Sequence, residues 1–292
     1  MATGFVQREV CPLCGSKSQQ LLCDLGFDEA PLAAFLEGFY GGRLAPAELA
    51  GGRYRIERCA ECSFIFQDRI LDAAGMLRLY QDWVDQAGSL QKKRSAPAQR
   101  FRQYAGQATT LMRLFDKPPQ QTRVLDYGMG WGYWCRMVQA HGFDVRGYEL
   151  SALRREHAQR LGVPVVDKLE QADGKFDFIY ANQVFEHLPD PRQALHELCR
   201  CLHADGIVYL RVPDGRDVVR RLRRDGWSPG LGAIHPLEHI NCFTRATLIQ
   251  LAASVGLRPY QAPLRLEWGN LCGGIRREIT DRWFTTHLMF RR

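Results

Sequence analysis

Nine consecutive residues constrain this chain more than any others: Val124 to Gly132, V-L-D-Y-G-M-G-W-G. An apolar run closed by an acid and followed by alternating glycines reads as a strand that turns tightly, exposes backbone N–H groups and opens a helix. In sheets that bind dinucleotides the glycines make room for a pyrophosphate, and a carboxylate at the strand end would repel those phosphates across a low-dielectric gap. Asp126 occupies that place, and Tyr127, Gly128, Gly130 and Gly132 form the turn after it. The pattern calls for a ligand that is cationic and lacks phosphate. S-adenosylmethionine, with an ammonium and a sulfonium, has that chemistry. A glycine-rich structural turn is the plainer alternative, but the order strand, acid, turn, helix argues against it.

A second acidic anchor follows. Asp144 to Leu150, D-V-R-G-Y-E-L, reads as the next strand after a helix from Trp131 to His141. Glu149 at its end can accept hydrogen bonds from both hydroxyls of a ribose, with Leu150 beside it; a solvated acid is the alternative. A helix from Ser151 to Leu161 leads to a short strand, Val163 to Val166, and then to Asp167, which is expected at the adenine edge. Phe176 to Pro191, F-D-F-I-Y-A-N-Q-V-F-E-H-L-P-D-P, supplies a fourth strand, a loop over the cofactor from Asn182 to His187, and a proline-opened helix through Cys201. Gly206 to Asp214 is the fifth strand.

With these motifs in place, the stretch from Phe101 onward resembles the class I S-adenosylmethionine-dependent methyltransferases. The resemblance is carried by the D-Y-G-M-G-W-G turn, Glu149, the segment Phe176 to Pro191 and the L-H-A-D-G-I-V-Y-L-R-V-P strand. It implies an α/β fold: a Rossmann-like, mostly parallel seven-stranded sheet with helices on both faces. Periodicity alone yields only alternating strands and helices.

With 292 residues, 46% of them hydrophobic and 24% charged, the chain can bury one large core and a smaller one. The expected division is a zinc-binding domain over residues 1–72, a helical linker and entry helix over 73–119, and the methyltransferase domain over 120–292. No apolar run approaches the roughly twenty residues of a membrane span, and Met1 to Val10 lacks the apolar core of a signal peptide, so a cytoplasmic protein without a membrane partner is expected. The net charge of +7 is spread along the chain, which allows acidic substrates without demanding them.

In a reducing compartment, ten cysteines argue for metal before disulfides. Cys11-Pro-Leu-Cys14-Gly and Cys59-Ala-Glu-Cys62-Ser are matching knuckles, each able to aim two thiolates at one ion while backbone N–H groups support the sulfurs. Four thiolates fill a tetrahedron, so the expected ion is a structural Zn²⁺ at Cys11, Cys14, Cys59 and Cys62. Cys23 lies outside the pattern. Cys135, Cys199, Cys201, Cys242 and Cys272 are unpaired in sequence and read as small core or surface residues.

Asp24 to Glu37 between the knuckles, Phe64 to Gln67 after them, and Tyr80 and Ser89 extend a further resemblance, to sugar C-methyltransferases with an N-terminal zinc domain. Those enzymes continue into a C-terminal domain that this chain, ending at Arg292, is expected to lack. The same resemblance places Glu238, His239, Phe243 and Thr244 on the Glu-His segment of that family, with Pro236 where a tyrosine is frequent. Methyl transfer is an in-line displacement that requires alignment of the acceptor and removal of its proton. The candidate catalytic residues are therefore His239 and Glu238, with His235 beside them and His187, after Glu186, as a further candidate. Alternatively, His235 and His239 tie their loop to the sheet while Thr244 caps a helix.

Arg220, Arg221, Arg223 and Arg224 stand on a short helix as a phosphate clamp or a solvated face. Lys92, Lys93, Arg94, Arg100 and Arg102, near Phe101 and Tyr104, read as a nucleic-acid footprint or as a linker and entry helix. Trp131, Tyr133 and Trp134 either wall the donor or pack the core. The reading that absorbs most of these features is a methyltransferase acting on a small-molecule acceptor, a nucleotide-linked sugar or other secondary metabolite. An RNA methyltransferase gripping its substrate with the zinc head is the second reading, against which the head's Asp24, Asp28, Glu29, Glu37 and Glu48 count. A non-catalytic cofactor-binding scaffold is the third. The pattern specifies no oligomeric state.

Overall fold

A computed structural model describes residues 4–169, 176–261 and 285–292. In chain order the N-terminal elements are β1 (Phe5–Gln7), β2 (Gln19–Gly26), α1 (Leu32–Tyr40), β3 (Arg53–Cys59), β4 (Ile65–Gln67), β5 (Arg69–Leu71) and α2 (Ala73–Arg78). Two helices, α3 (Gln86–Arg94) and α4 (Ala98–Leu114), lead into β6 (Arg123–Tyr127), α5 (Tyr133–Ala140), β7 (Asp144–Tyr148), α6 (Ala152–Arg160) and β8 (Phe176–Asn182). The remainder is α7 (Pro191–Arg200), β9 (Leu202–Arg211), α8 (Val218–Asp225), β10 (Asn241–Cys242), α9 (Arg245–Ala253), β11 (Arg258–Tyr260) and β12 (His287–Arg291).

These elements form two compact units, neither contiguous in sequence. The first comprises Met1–Gly88, Phe185–Arg192 and Val212–Leu251; the second comprises Ser89–Val184, Gln193–Arg211 and Ala252–Arg292.

In the first unit an antiparallel sheet runs in the order β10-β4-β3-β2, and β1 pairs antiparallel with β5. Its core takes Leu32, Leu36 and Tyr40 from one stripe of α1, at the four-residue spacing that brings side chains onto a single helix face. Tyr54, Ile56, Leu79, Trp83 and Trp227 fill the rest. The histidine-bearing loop thus belongs to the same unit as the cysteine knuckles, although it lies far along the chain from them, His235 against Cys62.

In the second unit the sheet order is β11-β12-β9-β8-β6-β7. Strands β7, β6, β8 and β9 are parallel, whereas β12 runs antiparallel between β9 and β11. Val124, Val145, Phe178 and Ile207 meet Ala108 and Leu111 of α4, Trp134 and Val138 of α5 and Ala158 of α6 in one buried cluster. The chain leaves β6 for β7 on one side and returns to β8 on the other. This reversal falls at the carboxyl ends of β6 and β8, the position at which open α/β sheets bind ligands.

Six strands, rather than the expected seven, make up this sheet among the described residues. The expected strand Val163 to Val166 contributes a single parallel bridge, Gly147 to Val165, with Gly147 N–H donating to the Pro164 carbonyl and Val166 N–H to the Gly147 carbonyl. Pro164 has no N–H and cannot extend a ladder, which accounts for the truncation. Among the described residues no helix is long and apolar enough to cross a membrane.

Candidate active site

The glycine turn sits where β6 ends. Gly128, Gly130 and Gly132 all have positive φ, +79°, +56° and +77°, a region that side chains with a Cβ seldom enter. Space is restricted as well. A Cβ on Gly128 would come within 2.5 Å of Val184, and one on Gly132 within 2.8 Å of Ala158.

The N–H groups of this turn are consumed internally. Gly128 and Met129 both donate to the Tyr148 carbonyl, at 2.8 and 3.0 Å, and Gly130 donates to Glu149 Oε2 at 3.0 Å. Ser151 N–H donates to Glu149 Oε1, also at 3.0 Å. A carboxylate has about four lone-pair sites, so two remain, which suits a vicinal diol such as a ribose. Leu150, immediately beyond, is 74% exposed and offers an apolar face.

Asp126 is 3% exposed and accepts a hydrogen bond from Cys135 Sγ at 3.3 Å. Burial, opposed by that bond and aided by the charge of Glu149, pushes its carboxyl up to about 7. A cation nearby would offset that desolvation. Asn182, at the end of β8, has a buried Oδ1 with no hydrogen-bond partner, which an ammonium could satisfy. These features fit S-adenosylmethionine: Glu149 and Leu150 for its nucleoside, Asp126 and Asn182 for its positive charges. Asp167 is exposed beyond the Val165 bridge, and the Tyr127 ring stacks on Tyr148 at 5.2 Å. Trp134 stacks on Tyr180 at 4.1 Å within the core, and Trp131 donates to Ser89 Oγ at 3.1 Å. A surface cleft lined by Phe115, Lys117, Asp177 and His203 lies at the amino ends of these strands, away from the turn.

In the first unit the two cysteine knuckles come together. Cys11 and Cys62 sulfurs stand 3.5 Å apart, as do those of Cys14 and Cys59, close to the roughly 3.8 Å that four sulfurs at ~2.3 Å from one tetrahedral ion require. The knuckles repeat each other in detail. Gly15 N–H bonds to the Cys11 carbonyl and Ser63 N–H to the Cys59 carbonyl, and both residues have positive φ, +78° and +62°. Backbone N–H groups of Leu13 and Cys14 point at the Cys11 sulfur, and those of Glu61 and Cys62 at the Cys59 sulfur. The donor set fits Zn²⁺.

The same unit gathers the histidines. His187 Nδ1 lies 2.9 Å from the Glu238 carbonyl, His235 Nδ1 2.8 Å from the Pro236 carbonyl, and His239 Nδ1 2.5 Å from the Gly232 carbonyl. A ring nitrogen facing a carbonyl carries the hydrogen, so in each neutral ring the lone pair resides on Nε2. The His187 and His239 rings approach to 4.9 Å, and those of His235 and His239 to 5.7 Å. Burial beside Phe35 and Phe39 lowers His235 to about 4, and burial also lowers His239. Glu186 is completely buried and is pushed up to about 8. Tyr40 OH donates to Glu238 Oε1 at 3.0 Å.

Residues 98–262, more than half of the chain, match the family model described as a methyltransferase domain. The chain belongs to that family. It is 26% identical over 148 residues to a ubiquinone biosynthesis O-methyltransferase of Photorhabdus laumondii, covering 43% of this chain and 62% of that protein. Against the enzyme of the same name from Coxiella burnetii the figures are 25% over 201 residues, 62% and 78%. Two other proteins of that name are spanned over only about four-tenths of their length. Among solved structures, the plantazolicin methyltransferase BpumL in complex with SAH superposes with a TM-score of 0.50 at 15% identity, covering 74% of this chain and 94% of that one. At that identity the likeness shows the fold.

Around the histidine loop stand residues that the sequence did not single out. Gln67 Nε2 donates to the carbonyls of His235 and His239, both at 3.1 Å. Asn241 Nδ2 donates to those of Phe185 and Leu188, at 3.0 and 2.6 Å, and Arg8 Nη1 donates to Asn241 Oδ1 at 2.9 Å. Together they fix the Glu186-His187 turn against the segment from His235 to His239. Their only signal in the sequence is a polar residue inside an apolar run: F-I-F-Q and H-I-N-C-F. Leu237, at φ +66° without being glycine, marks the same loop as strained.

Three of the four arginines of α8 are engaged locally. Arg220 pairs with Asp217 at 2.8 Å, Arg224 with Asp225 at 2.6 Å, and Arg221 donates to the Gly230 carbonyl at 3.1 Å. Cys135, Cys199 and Cys242 are buried; Cys272 lies outside the described residues.

Proposed function

We propose that this chain transfers a methyl group from S-adenosylmethionine to an oxygen or carbon of a small-molecule acceptor. The observation that carries the reading is that the glycine turn spends its N–H groups within the protein: Gly128 and Met129 on Tyr148, Gly130 on Glu149 and Gly132 on Met129. A pyrophosphate would need those groups, whereas a cationic nucleoside without phosphate does not. Asp126, Tyr127, Gly128, Gly130, Gly132, Glu149, Leu150, Asp167 and Asn182 are the proposed donor residues. When bound, the donor supplies an electrophilic methyl group. Asp126 sets the polarity of that site, and Glu149 holds the ribose by its two remaining acceptor positions.

Glu238, His239, His235 and His187 are the proposed acceptor residues. Each histidine has its Nδ1 hydrogen committed to a backbone carbonyl, which directs its Nε2 lone pair toward accepting a proton from the acceptor or holding it. Tyr40 orients the Glu238 carboxylate. The names of the matched relatives favour oxygen as the methylated atom, whereas the resemblance of the Glu238-His239 segment to sugar C-methyltransferases favours a nucleotide-linked sugar; both are small-molecule acceptors. Along the chain we propose residues 1–72 as the zinc-bearing module, 73–119 as linker and entry helix, and 120–292 as the methyltransferase module, with Cys11, Cys14, Cys59 and Cys62 holding a structural zinc.

The test is incubation with methyl-labelled S-adenosylmethionine and a panel of nucleotide sugars, small phenols and total RNA, beside Glu238→Gln and His239→Ala. Label on a small molecule, lost in both variants, is expected. Transfer unchanged in both variants refutes the acceptor assignment, label confined to RNA refutes the substrate class, and donor binding with no transfer to any compound identifies a scaffold.

A further inference from the structure

We propose that Glu186, His187 and His239 form a second cation site, distinct from the four cysteines: a two-histidine, one-carboxylate set for a borderline divalent transition ion such as Zn²⁺, Co²⁺ or Fe²⁺. The donor atoms of these three side chains all lie within 4.8 Å of one another. Ligands at ~2.1 Å from a common ion stand roughly 3.0–3.5 Å apart, so rotations that move side-chain ends by about an ångström close the set.

Three observations point to a ligand. Glu186 is completely buried, and its carboxylate accepts no hydrogen bond from any other residue, only its own backbone N–H facing it; His187 Nε2 is 3.9 Å away, beyond hydrogen-bonding distance. A buried carboxylate with no hydrogen bond from another residue is costly, and a cation is the group that compensates both oxygens at once. Secondly, His187 and His239 each set Nδ1 against a backbone carbonyl, those of Glu238 and Gly232, which makes Nε2 the ligating atom. Metal-binding histidines are oriented in this manner. Thirdly, the supports are themselves held: Asn241 clamps the carbonyls on either side of Glu186 and His187, and Gln67 clamps the carbonyl of His239. Side chains so constrained form a prepared cage, which a loosely tethered loop would not.

Two imidazoles and one carboxylate suit borderline ions over Mg²⁺ or Ca²⁺. Three protein ligands also leave coordination positions open, to water or to an oxygen of the acceptor, unlike the closed four-thiolate set. An ion held here would take the Nε2 lone pairs of His187 and His239, so in the loaded protein proton acceptance would fall to Glu238 or His235; the role in acceptor binding rests on the methyltransferase reading above, whereas metal uptake does not.

The test is titration of the full-length protein, reduced and stripped with chelator, with Co²⁺. Cobalt on thiolates gives an intense sulfur charge-transfer band, whereas cobalt on nitrogen and oxygen gives only weak visible bands. The wild type is expected to take up a second equivalent without added charge-transfer intensity. Glu186→Gln should weaken that equivalent at least tenfold while keeping the charge-transfer band and the affinity for adenosylhomocysteine. Because Gln is isosteric and neutral it should fold; independently, X-ray absorption of the wild type loaded beyond one equivalent should show imidazole scattering. A second equivalent retained unchanged in Glu186→Gln, uptake limited to thiolates, or no imidazole signal overturns the proposal. Loss of adenosylhomocysteine binding by the wild type would instead count against the donor site alone.

Discussion

Replacing Asp126 with Asn tests the electrostatics of the donor site directly. Burial raises the Asp126 carboxyl to about 7, against an ordinary aspartate near 3.8. Between those values the unfolded chain has released its proton while the folded chain keeps it, so each unit of rising pH favours the unfolded state. Three units at ~1.4 kcal/mol each give up to about 4 kcal/mol lost by the wild type between pH 4 and 7. A side-chain amide does not titrate, so Asp126→Asn should lack this component, and its stability relative to wild type should improve as pH rises. Donor affinity should move in the opposite sense. The ionised carboxylate attracts a cation, so wild-type affinity for S-adenosylmethionine should rise with pH toward about 7 and level off. At pH 8 the variant should bind at least tenfold more weakly, about 1.4 kcal/mol. Urea unfolding at pH 5 and pH 8, with calorimetry of donor binding at the same values, reads both effects. Parallel stability profiles in the two proteins, or equal donor affinity at pH 8, would refute the reasoning.

Gly128→Ala forces a Cβ into a backbone at φ +79° and to within 2.5 Å of Val184, and should cost about 1–3 kcal/mol together with donor binding; an unaltered melting curve would contradict it. Asn241→Ala strips the donor from two carbonyls at the Glu186-His187 turn and should lower the urea midpoint by an amount equivalent to about 1–3 kcal/mol, while adenosylhomocysteine affinity stays within twofold; an unshifted midpoint would show the clamp to be dispensable. For the knuckles, Cys62→Ser should lose tightly held zinc and destabilise the N-terminal sheet, which metal analysis and circular dichroism would register; full metal content in the variant would exclude the four-thiolate site.

Features whose physical requirement lies within a few consecutive residues were open to reading from the chain alone. The positive φ values at Gly128, Gly130 and Gly132 are demanded by a tight strand-to-helix turn, and the two C-x-x-C knuckles carry their own N–H supports. The alternation of strands and helices from Arg123 to Arg211 follows from local patterning in the same way. The outcome at Val163 to Val166 was less legible, because apolar character favours a strand while one proline removes the N–H that a ladder needs.

Only the tertiary structure decided which distant residues share an environment. The burial of Glu186 without a hydrogen bond from another residue, the clamps made by Gln67, Asn241 and Arg8, and the grouping of the histidine loop with the cysteine knuckles all depend on residues far apart in sequence. A polar side chain in an apolar run has the same local pattern whether it ends in solvent or braces two buried carbonyls. Desolvation and long-range hydrogen bonding distinguish these cases, and both depend on how the chain returns to itself.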